Sequence, residues 1–225
     1  MTRLANLSWP EVAGRGPVVL AVPVGSTEQH GPHLPLSTDT DVAVALAHAL
    51  ARRRDDVLVA PPVPYGSSGE HDGFAGTLSV GPAATELLLV ELGRSASGWA
   101  RRLLLVSGHG GNAQPVARAV RRLRDEGRDV LAWSPRWRGD AHAGRTETSV
   151  QLALDAARVR LAEAAAGNTD DLGTLMPVLR RDGIRAVSPN GVLGDPAGAS
   201  ADEGHRLLAG ATDDLVATVE HWLRG

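Results

Sequence analysis

The sequence predicts one α/β domain, spanning residues 1–225, in which helices cover both faces of a mostly parallel sheet. Short, continuous runs of Val, Leu and Ala alternate with longer segments of helical periodicity. Continuous apolar runs are typical of parallel strands buried on both faces, and their alternation with helices builds βαβ units. No internal repeat, low-complexity tract or linker divides the 225 residues, a length that suits one domain.

Four apolar runs predict the strands. The first is apolar at every position, and the second ends at Pro61 and Pro62, because proline lacks the N–H that strand pairing needs. The third stops at a Gly-rich loop, and the fourth ends on a tryptophan. The predicted strands are residues 18–22, 57–60, 102–106 and 129–133.

Capping signals between these strands predict the helices. Thr40 or Asp41 can cap the first, and Ser200 with Glu203 three residues later forms a capping-box pattern for the last. The predicted helices are residues 40–53, 82–100, 115–126, 147–156 and 200–223. Residues 61–81 are predicted to form a long Gly-rich loop, which is typical of a functional segment. Residues 160–182 are predicted to be irregular with some helix, and residues 184–193 to form an edge strand or hairpin.

The composition excludes several chemistries. All 23 basic residues are Arg, and the chain has neither Lys nor Cys. This excludes a Schiff base, a P-loop lysine, a thiolate nucleophile, a disulfide, an iron–sulfur cluster and a Cys-ligated zinc. A net charge of −3 argues against nucleic acid as a partner. No apolar run approaches the roughly 18–20 residues of a membrane span, and the first residues lack the apolar core of a signal peptide, so we expect a cytoplasmic protein without a membrane partner.

Residues that can bind metals lie in loops at the carboxyl ends of the predicted strands, where open α/β sheets form their sites. In the loop of residues 25–39, Glu28 and His30 are two apart and project to one side of extended backbone. Asp39 precedes a helix N-terminus, which stabilises a carboxylate. A solvated loop is the alternative, but so many such side chains directly after a buried strand favour a site.

Two further loops add candidates. His109 lies in the Gly-rich loop of residues 107–112, which could also cradle a phosphate but lacks the dinucleotide spacing and the P-loop lysine. His142 and Glu147 lie in residues 140–149, where Glu147 could simply favour the start of a helix. A fourth segment, residues 69–77, either lines the pocket or is a solvated turn.

Together these loops supply two imidazoles and three carboxylates, a set that suits two divalent cations bridged by one carboxylate. Such a pair can ionise a water near neutral pH and polarise a carbonyl. Ligation by nitrogen and oxygen alone suits Zn, Mn or Fe(II). The candidate ligands are Glu28, His30, Asp39, His109 and Glu147.

At these residues the sequence resembles the creatininase family of metal-dependent amidohydrolases, and within it the peptidase branch of the mycofactocin system. Gly-Ser-Thr-Glu-Gln-His-Gly-Pro-His-Leu-Pro-Leu-Ser-Thr-Asp is the most specific stretch. The family marks are residues 25–39, 76–79, 108–112 and 142–149, and the marks of the branch are residues 60–71, 91–96, 186–188 and 191–196.

The resemblance implies a three-layer α/β/α fold, a two-metal site and a homo-oligomer. It implies that Asp39 bridges the ions and that a modified precursor peptide is trimmed near its C-terminus, releasing the cyclised Val–Tyr remnant. One position departs from the family: creatininases proper place a metal-binding Glu two residues after His109, where this chain has Gly111. Glu147 is therefore the expected fifth ligand, and creatinine is disfavoured as the substrate.

We expect hydrolysis of an amide bond, in which His142 protonates the departing nitrogen and Asn112 with loop N–H groups donates to the oxyanion. Trp133, Trp137 and Tyr65 either contact the substrate or serve the core. The same question stays open for three loop arginines, Arg136, Arg138 and Arg145.

Three other functions remain as alternatives. The chain could hydrolyse a small cyclic amide or a formamide, or it could be a metal-free scaffold of the same fold. It could also bind an anion or nucleic acid through helix arginines, although these are expected to be a solvated face partly paired with Asp125 and Glu126. The arginines are Arg118, Arg121, Arg122, Arg124 and Arg128.

Overall fold

The structure, a computed structural model, describes residues 3–225 and contains a four-stranded parallel sheet. The strands are β1 Val19–Val24, β2 Val57–Val59, β3 Arg102–Ser107 and β4 Val130–Trp133. Their order in the sheet is β2-β1-β3-β4, so β1 and β3 are the central strands. Val19 of β1 pairs with Val57 of β2 and with Arg102 of β3. The predicted parallel sheet is confirmed, with bounds within two residues of those expected.

Eight helices occur in residues 3–225. They are α1 Trp9–Ala13, α2 Thr38–Arg53, α3 Gly81–Ala96, α4 Ala113–Asp125, α5 Arg145–Asp155, α6 Leu172–Asp182, α7 Ile184–Val187 and α8 Ala201–Arg224. Short 3₁₀ turns lie at Leu4–Asn6, Gly69–His71, Gly110–Asn112, Ala156–Arg158 and Leu161–Glu163. None of the helices in this part of the chain is both long and apolar enough to cross a membrane.

The sheet is sandwiched between two helical layers, because successive strand residues point to opposite faces. Leu103 and Leu105 of β3 pack with α3 and α4, whereas Leu104 packs with α2, α5 and α8. Leu104 and Leu105 are completely buried, and each such side chain stabilises the fold by about 1.5–3 kcal/mol. The three-layer α/β/α fold expected from the resemblance is confirmed.

Helix α2 begins at Thr38, earlier than either predicted cap. Thr38 donates through both its backbone N–H (3.1 Å) and its hydroxyl (2.7 Å) to the carbonyl of Pro35. These bonds start the helix before Thr40, and they place Asp39 within its first turn. At α8 the predicted cap is present, since the Ser200 hydroxyl accepts from the N–H of Glu203 at 3.3 Å.

The prediction of an edge strand or hairpin at residues 184–193 is wrong. The segment begins with the short helix α7 and then turns through Gly191, whose φ of +79° favours glycine. The Ser188 hydroxyl donates to the carbonyl of Val192 at 2.6 Å and closes that turn. Only Leu193 makes a β-type contact, a single antiparallel bridge to His142. Helix α1 is not among the predicted helices, although Ser8 and Glu11 form its capping box.

Candidate metal centre

The carboxyl ends of β1 and β3 bring the predicted ligands together, as open α/β sheets do. Glu28 and His30 follow β1, His109 follows β3, Asp39 lies in the first turn of α2, and Glu147 lies in the first turn of α5. All are buried except Glu147, which is half-buried. The alternative of a solvated loop is therefore excluded for residues 28–30.

The ligand atoms form two sets of three that share Asp39. One set is Glu28, Asp39 and His109, and the other is His30, Asp39 and Glu147; within each set the atoms lie within 4.8 Å of one another. Asp39 faces the sets with different oxygens, because Oδ2 is 3.0 Å from His109 Nδ1 and Oδ1 is 3.2 Å from His30 Nε2. This is the arrangement that a carboxylate bridging two cations requires.

The buried carboxylate of Glu28 tests whether the residues fit a metal. Its two oxygens are 3.1 Å from His71 Nε2 and His109 Nε2, respectively, but neither contact has hydrogen-bond geometry. Burying a carboxylate without aligned partners is costly, and a cation removes that cost. The donor set of imidazoles and carboxylates thus fits a divalent metal ion.

The charges of the site are strongly coupled. Burial opposes ionisation of Asp39, but His30 and His109 hold its pKa well below the usual range. Burial likewise opposes charge on His30, but Asp39, with help from Glu147 and Glu28, raises the pKa of His30 to about 10. Burial raises the pKa of Glu147. The raised pKa of His30 thus indicates a negative potential at this ring, which would also attract a cation.

Hydrogen bonds from neighbouring residues fix the orientation of the ligands. The Ser26 hydroxyl donates to Asp39 Oδ2 at 2.6 Å, and Thr40 Oγ1 donates to the Ser26 carbonyl at 2.9 Å. His30 Nδ1 lies 3.2 Å from the carbonyl of Glu28, which turns Nε2 towards Asp39. Gly108 allows the loop after β3 to lie close to the start of α2, because a Cβ at this position would be 2.2 Å from the Asp39 carbonyl oxygen.

A network around Gln29 sets the tautomers of two histidines. Gln29 Nε2 lies 3.1 Å from the Gly191 carbonyl and 2.9 Å from His71 Nδ1, contacts that use both of its hydrogens. His142 Nε2 then carries the hydrogen that it donates to the Gln29 carbonyl at 2.9 Å. In this assignment the hydrogen of His71 is on Nε2, the atom 3.1 Å from Glu28 Oε1, and His142 Nδ1 keeps a free lone pair.

His142 lies beside the second ligand set. Its Nδ1 is 3.9 Å from Glu147 Oε2, and that oxygen accepts from the N–H of Ala143 at 2.5 Å. Ala143 has a φ of +52°, in the left-handed region that non-glycine residues rarely adopt. Such strain persists only where the surroundings impose it, which is typical of functional sites.

The structure gives Asn112 a different contact from the one expected. Its amide nitrogen donates to the Gly25 carbonyl at 2.8 Å, and its oxygen accepts from the N–H of Ser67 at 2.9 Å. Both groups thus join two loops and do not point into the ligand sets. The sequence suggested no such role, because Ser67 and Gly25 are far apart in the chain.

The profile of the creatininase family, described as creatinine amidohydrolase, matches residues 5–219. The chain belongs to the creatininase family. The mycofactocin precursor peptide peptidase of Mycobacterium ulcerans (strain Agy99) is 49% identical over an alignment of 228 positions, which covers 97% of this chain and 88% of the relative. The peptidase of that name from Mycolicibacterium smegmatis is 52% identical over 213 residues, which cover 92% of this chain and 85% of the relative.

A solved variant of creatininase, of the Zn–Zn type, has the same fold. Its TM-score is 0.84 at 25% sequence identity, and the match covers 97% of each chain. These comparisons confirm the predicted family and class: the chain is a creatininase-family hydrolase of amide bonds.

The structure leaves no room for a side chain at Gly111, the position where creatininases proper are expected to have a metal-binding Glu. A Cβ at Gly111 would lie 2.4 Å from both Glu70 Oε1 and His109 Nε2, so a side chain does not fit there. Glu147 approaches the second ligand set from α5 instead. Glu70 and His71 belong to the segment for which a solvated turn was the alternative, and the buried His71 favours the pocket-lining interpretation.

Two cavities meet at the ligand cluster of this creatininase-family chain. One, of about 760 Å³, extends below α6 and α7. The other, of about 1120 Å³, extends along the loop after β4 and the start of α4. His109 and Glu147 line both. The ligand cluster therefore lies between two spaces, each large enough for part of a peptide.

The aromatic and basic candidates have different environments. Trp133 is buried in the core and donates to Asp214 at 2.7 Å, and both Trp133 and Trp137 line the larger cavity. Tyr65 is exposed and lines neither cavity. Arg145 pairs with Glu203 at 2.8 Å. Of the other two loop arginines, only Arg136 lines a cavity.

The helix arginines considered for anion binding are largely engaged. Arg122 and Arg128 pair with Glu126, as expected, and Arg118 pairs with Glu86. Arg124 donates to the carbonyl of Val130 at 2.8 Å. These contacts favour a solvated, ion-paired face over an anion site.

Proposed function

We propose that this chain is a metal-dependent peptidase that cleaves the modified mycofactocin precursor peptide near its C-terminus and releases the cyclised Val–Tyr remnant. The observation that carries the proposal is the pair of ligand sets that share Asp39 at the junction of two cavities. The relatives of about 50% identity, which bear the name of this activity, support the choice of substrate.

The proposed cofactor is a pair of divalent ions. Glu28 and His109 would hold one ion, His30 and Glu147 the other, and Asp39 would bridge them. Zn, Mn or Fe(II) suits these nitrogen and oxygen donors. Bound divalent ions would supply a water of lowered pKa and polarise the scissile carbonyl.

His142 is the proposed proton carrier. Burial, together with His30 and His71, holds its pKa well below the usual value, so the ring is neutral at neutral pH. Since Nε2–H is donated to the Gln29 carbonyl, Nδ1 faces the site with a lone pair. That atom can take a proton and deliver it to the departing nitrogen. Glu147 holds the loop of His142 in place through Ala143.

The expected assembly is a homo-oligomer in the cytoplasm. Support comes from large apolar side chains at the surface, among them Trp9, Leu87 and Trp99, with exposed fractions of 81%, 55% and 43%. Aromatic side chains are enriched at contacts between subunits. Light scattering of the purified chain tests the expectation, and a monomer at micromolar concentration would contradict it.

The experiment that tests the proposed function is mass spectrometry of the modified precursor after incubation with the chain. The chain is stripped with chelator and reloaded with Zn, Mn or Fe(II) in separate reactions. We expect cleavage that depends on reloading and yields the remnant as a free amine. Parallel reactions contain a lactam or a formamide as the substrate. Hydrolysis of either one, while the precursor stays uncleaved, would favour the small-amide alternative. Less than one ion per chain after reloading would favour the scaffold.

A further inference from the structure

The two cavities differ in which site residues they expose. His142, Glu28 and Asp39 line only the smaller cavity, below α6. The larger cavity shares His109 and Glu147 but not His142. The site is thus asymmetric: the proposed proton carrier serves one side only.

We propose that the cavity below α6 binds the leaving-amine side of the substrate, an apolar group bearing an aromatic ring, and that Met176 determines specificity there. This rests on the proposed function. Hydrolysis breaks the C–N bond, places the hydroxyl of water on the acyl carbon and adds a proton to the nitrogen. Because His142 delivers that proton, the nitrogen and the group attached to it must lie on the side that His142 faces.

One part of the wall can contact an apolar group, while charged side chains, among them Glu70, Asp72 and Arg180, line other parts of the cavity. Leu179 and Ile184 are buried and line the cavity beside the half-buried Met176. They belong to a small apolar cluster that is separate from the two cores on the sheet. Helices α6 and α7 pack on the turn Gly69–His71, next to the ligands, so this apolar cluster lies against the site.

Met176 is the adjustable member of the wall. Methionine is flexible, and its sulfur makes favourable contacts with aromatic rings. Leu179 and Ile184 are held in the cluster by their neighbours, whereas Met176 is only partly covered. A larger side chain at Met176 would therefore fill the cavity without replacing a fully buried residue.

The larger cavity is left for the acyl side, the leader portion of the peptide. Its wall is more polar, because Ser134, Arg136 and Asp140 line it. The exposed Ala117 of α4 lies on the same wall. A side chain added at Ala117 would enter this space. The two cavities can thus be altered independently.

The test is a crossed measurement of product inhibition with two variants of the metal-loaded chain. The probes are the two purified products, the remnant amine and the leader acid. We expect Met176→Trp to raise the inhibition constant of the remnant by at least about tenfold, as changes in apolar pockets do, and to leave that of the leader within about twofold. Ala117→Trp should raise the inhibition constant of the leader by at least about tenfold and leave that of the remnant within about twofold.

Thr174→Trp is the matched control, because Thr174 is exposed on α6 and lines neither cavity. Its inhibition constants should equal those of the wild type. Met176→Ala provides a second variant, which removes apolar contact without filling the cavity, and should weaken remnant binding alone.

A rise in both inhibition constants with Met176→Trp, or a rise in that of the leader alone, would overturn the assignment. So would unchanged remnant binding in both Met176 variants. Failure of the wild-type chain to cleave the precursor in any metal form refutes the proposed function itself. Cleavage by the wild type with the crossed pattern absent refutes only the subsite.

Discussion

The two ligand sets that share Asp39 differ in how they are enclosed. In the first, Glu28 and His109 are buried and are contacted by His71. In the second, Glu147 is half-buried, lies beside His142 and lines both cavities. Metal sites that only hold an ion are closed, whereas catalytic positions stay open to a water or a substrate. Both sets reach the cavities, because His109 lines both of them and Glu28 lines the smaller one. The sets differ in Glu147, the one half-buried candidate ligand, so we expect the first set to anchor the centre more firmly and the second to adjust to the substrate.

The largest effect is expected from Asp39→Asn, which removes the carboxylate common to both sets. A neutral amide cannot bridge two cations, so metal content should fall to near zero and peptide cleavage should be lost. Asp41→Asn is the matched control, because Asp41 lies in the same helical turn but pairs with Arg158. Metal analysis and mass spectrometry report both quantities. If Asp39→Asn kept two ions per chain, the sets would not share this ligand.

His142→Ala tests the open side of the centre. Loss of a general acid–base group typically costs about 10²–10⁴-fold in rate, so kcat should fall by that factor while both ions remain bound. His48→Ala is the control, since His48 lies on α2 outside both ligand sets. A parallel loss of metal would instead make His142 a ligand, an outcome suggested by its proximity to Glu28 and His30.

A smaller and contrasting pair of effects is expected from Ser26→Ala and Gln29→Ala. Ser26 supports Asp39, so its loss should weaken metal affinity by about 10–100-fold. Gln29 Nε2 lies 3.2 Å from His142 Nε2 and donates to the carbonyl of Gly191, so its loss should disorder His142 and lower kcat by up to about 10²-fold with metal affinity retained. Metal titration and steady-state kinetics separate the two. If both variants lost metal affinity and kcat to the same extent, the two ligand sets would not differ in function.

Asn112→Ala should have the smallest effect on chemistry and act on stability instead. It leaves the Ser67 N–H and the Gly25 carbonyl without their buried partner, which costs about 1–3 kcal/mol of unfolding free energy. Urea denaturation of the metal-loaded chain measures this. A loss of kcat with unchanged stability would restore the role of Asn112 as a donor to the substrate.

The strands and the five ligand candidates could be predicted from the sequence because their signals are local. Glu28 and His30 lie in the loop after an apolar, β-branched run that is typical of a buried strand, and His109 follows another such run. In a parallel sheet such positions meet at one edge whatever the remaining chain does. The convergence of these loops therefore followed from topology alone.

The surroundings of the centre depend on contacts between distant segments, which no local pattern encodes. The loop of residues 61–81 packs on the first ligand loop through Leu78, whose N–H donates to the Thr27 carbonyl at 2.8 Å, and through Thr77. This packing buries His71. The segment of residues 184–193 misled because Val187 and Val192 favour strands, whereas Gly183 and Gly191 at positive φ allow a helix and a turn instead.

One oxygen of Glu147 has two tasks. Oε2 lies 3.9 Å from His30 Nε2 in the second ligand set, and it also accepts from the N–H of Ala143 in the strained turn after His142. The carboxylate that would help to hold an ion in the second ligand set is therefore the same one that fixes the backbone one residue from His142.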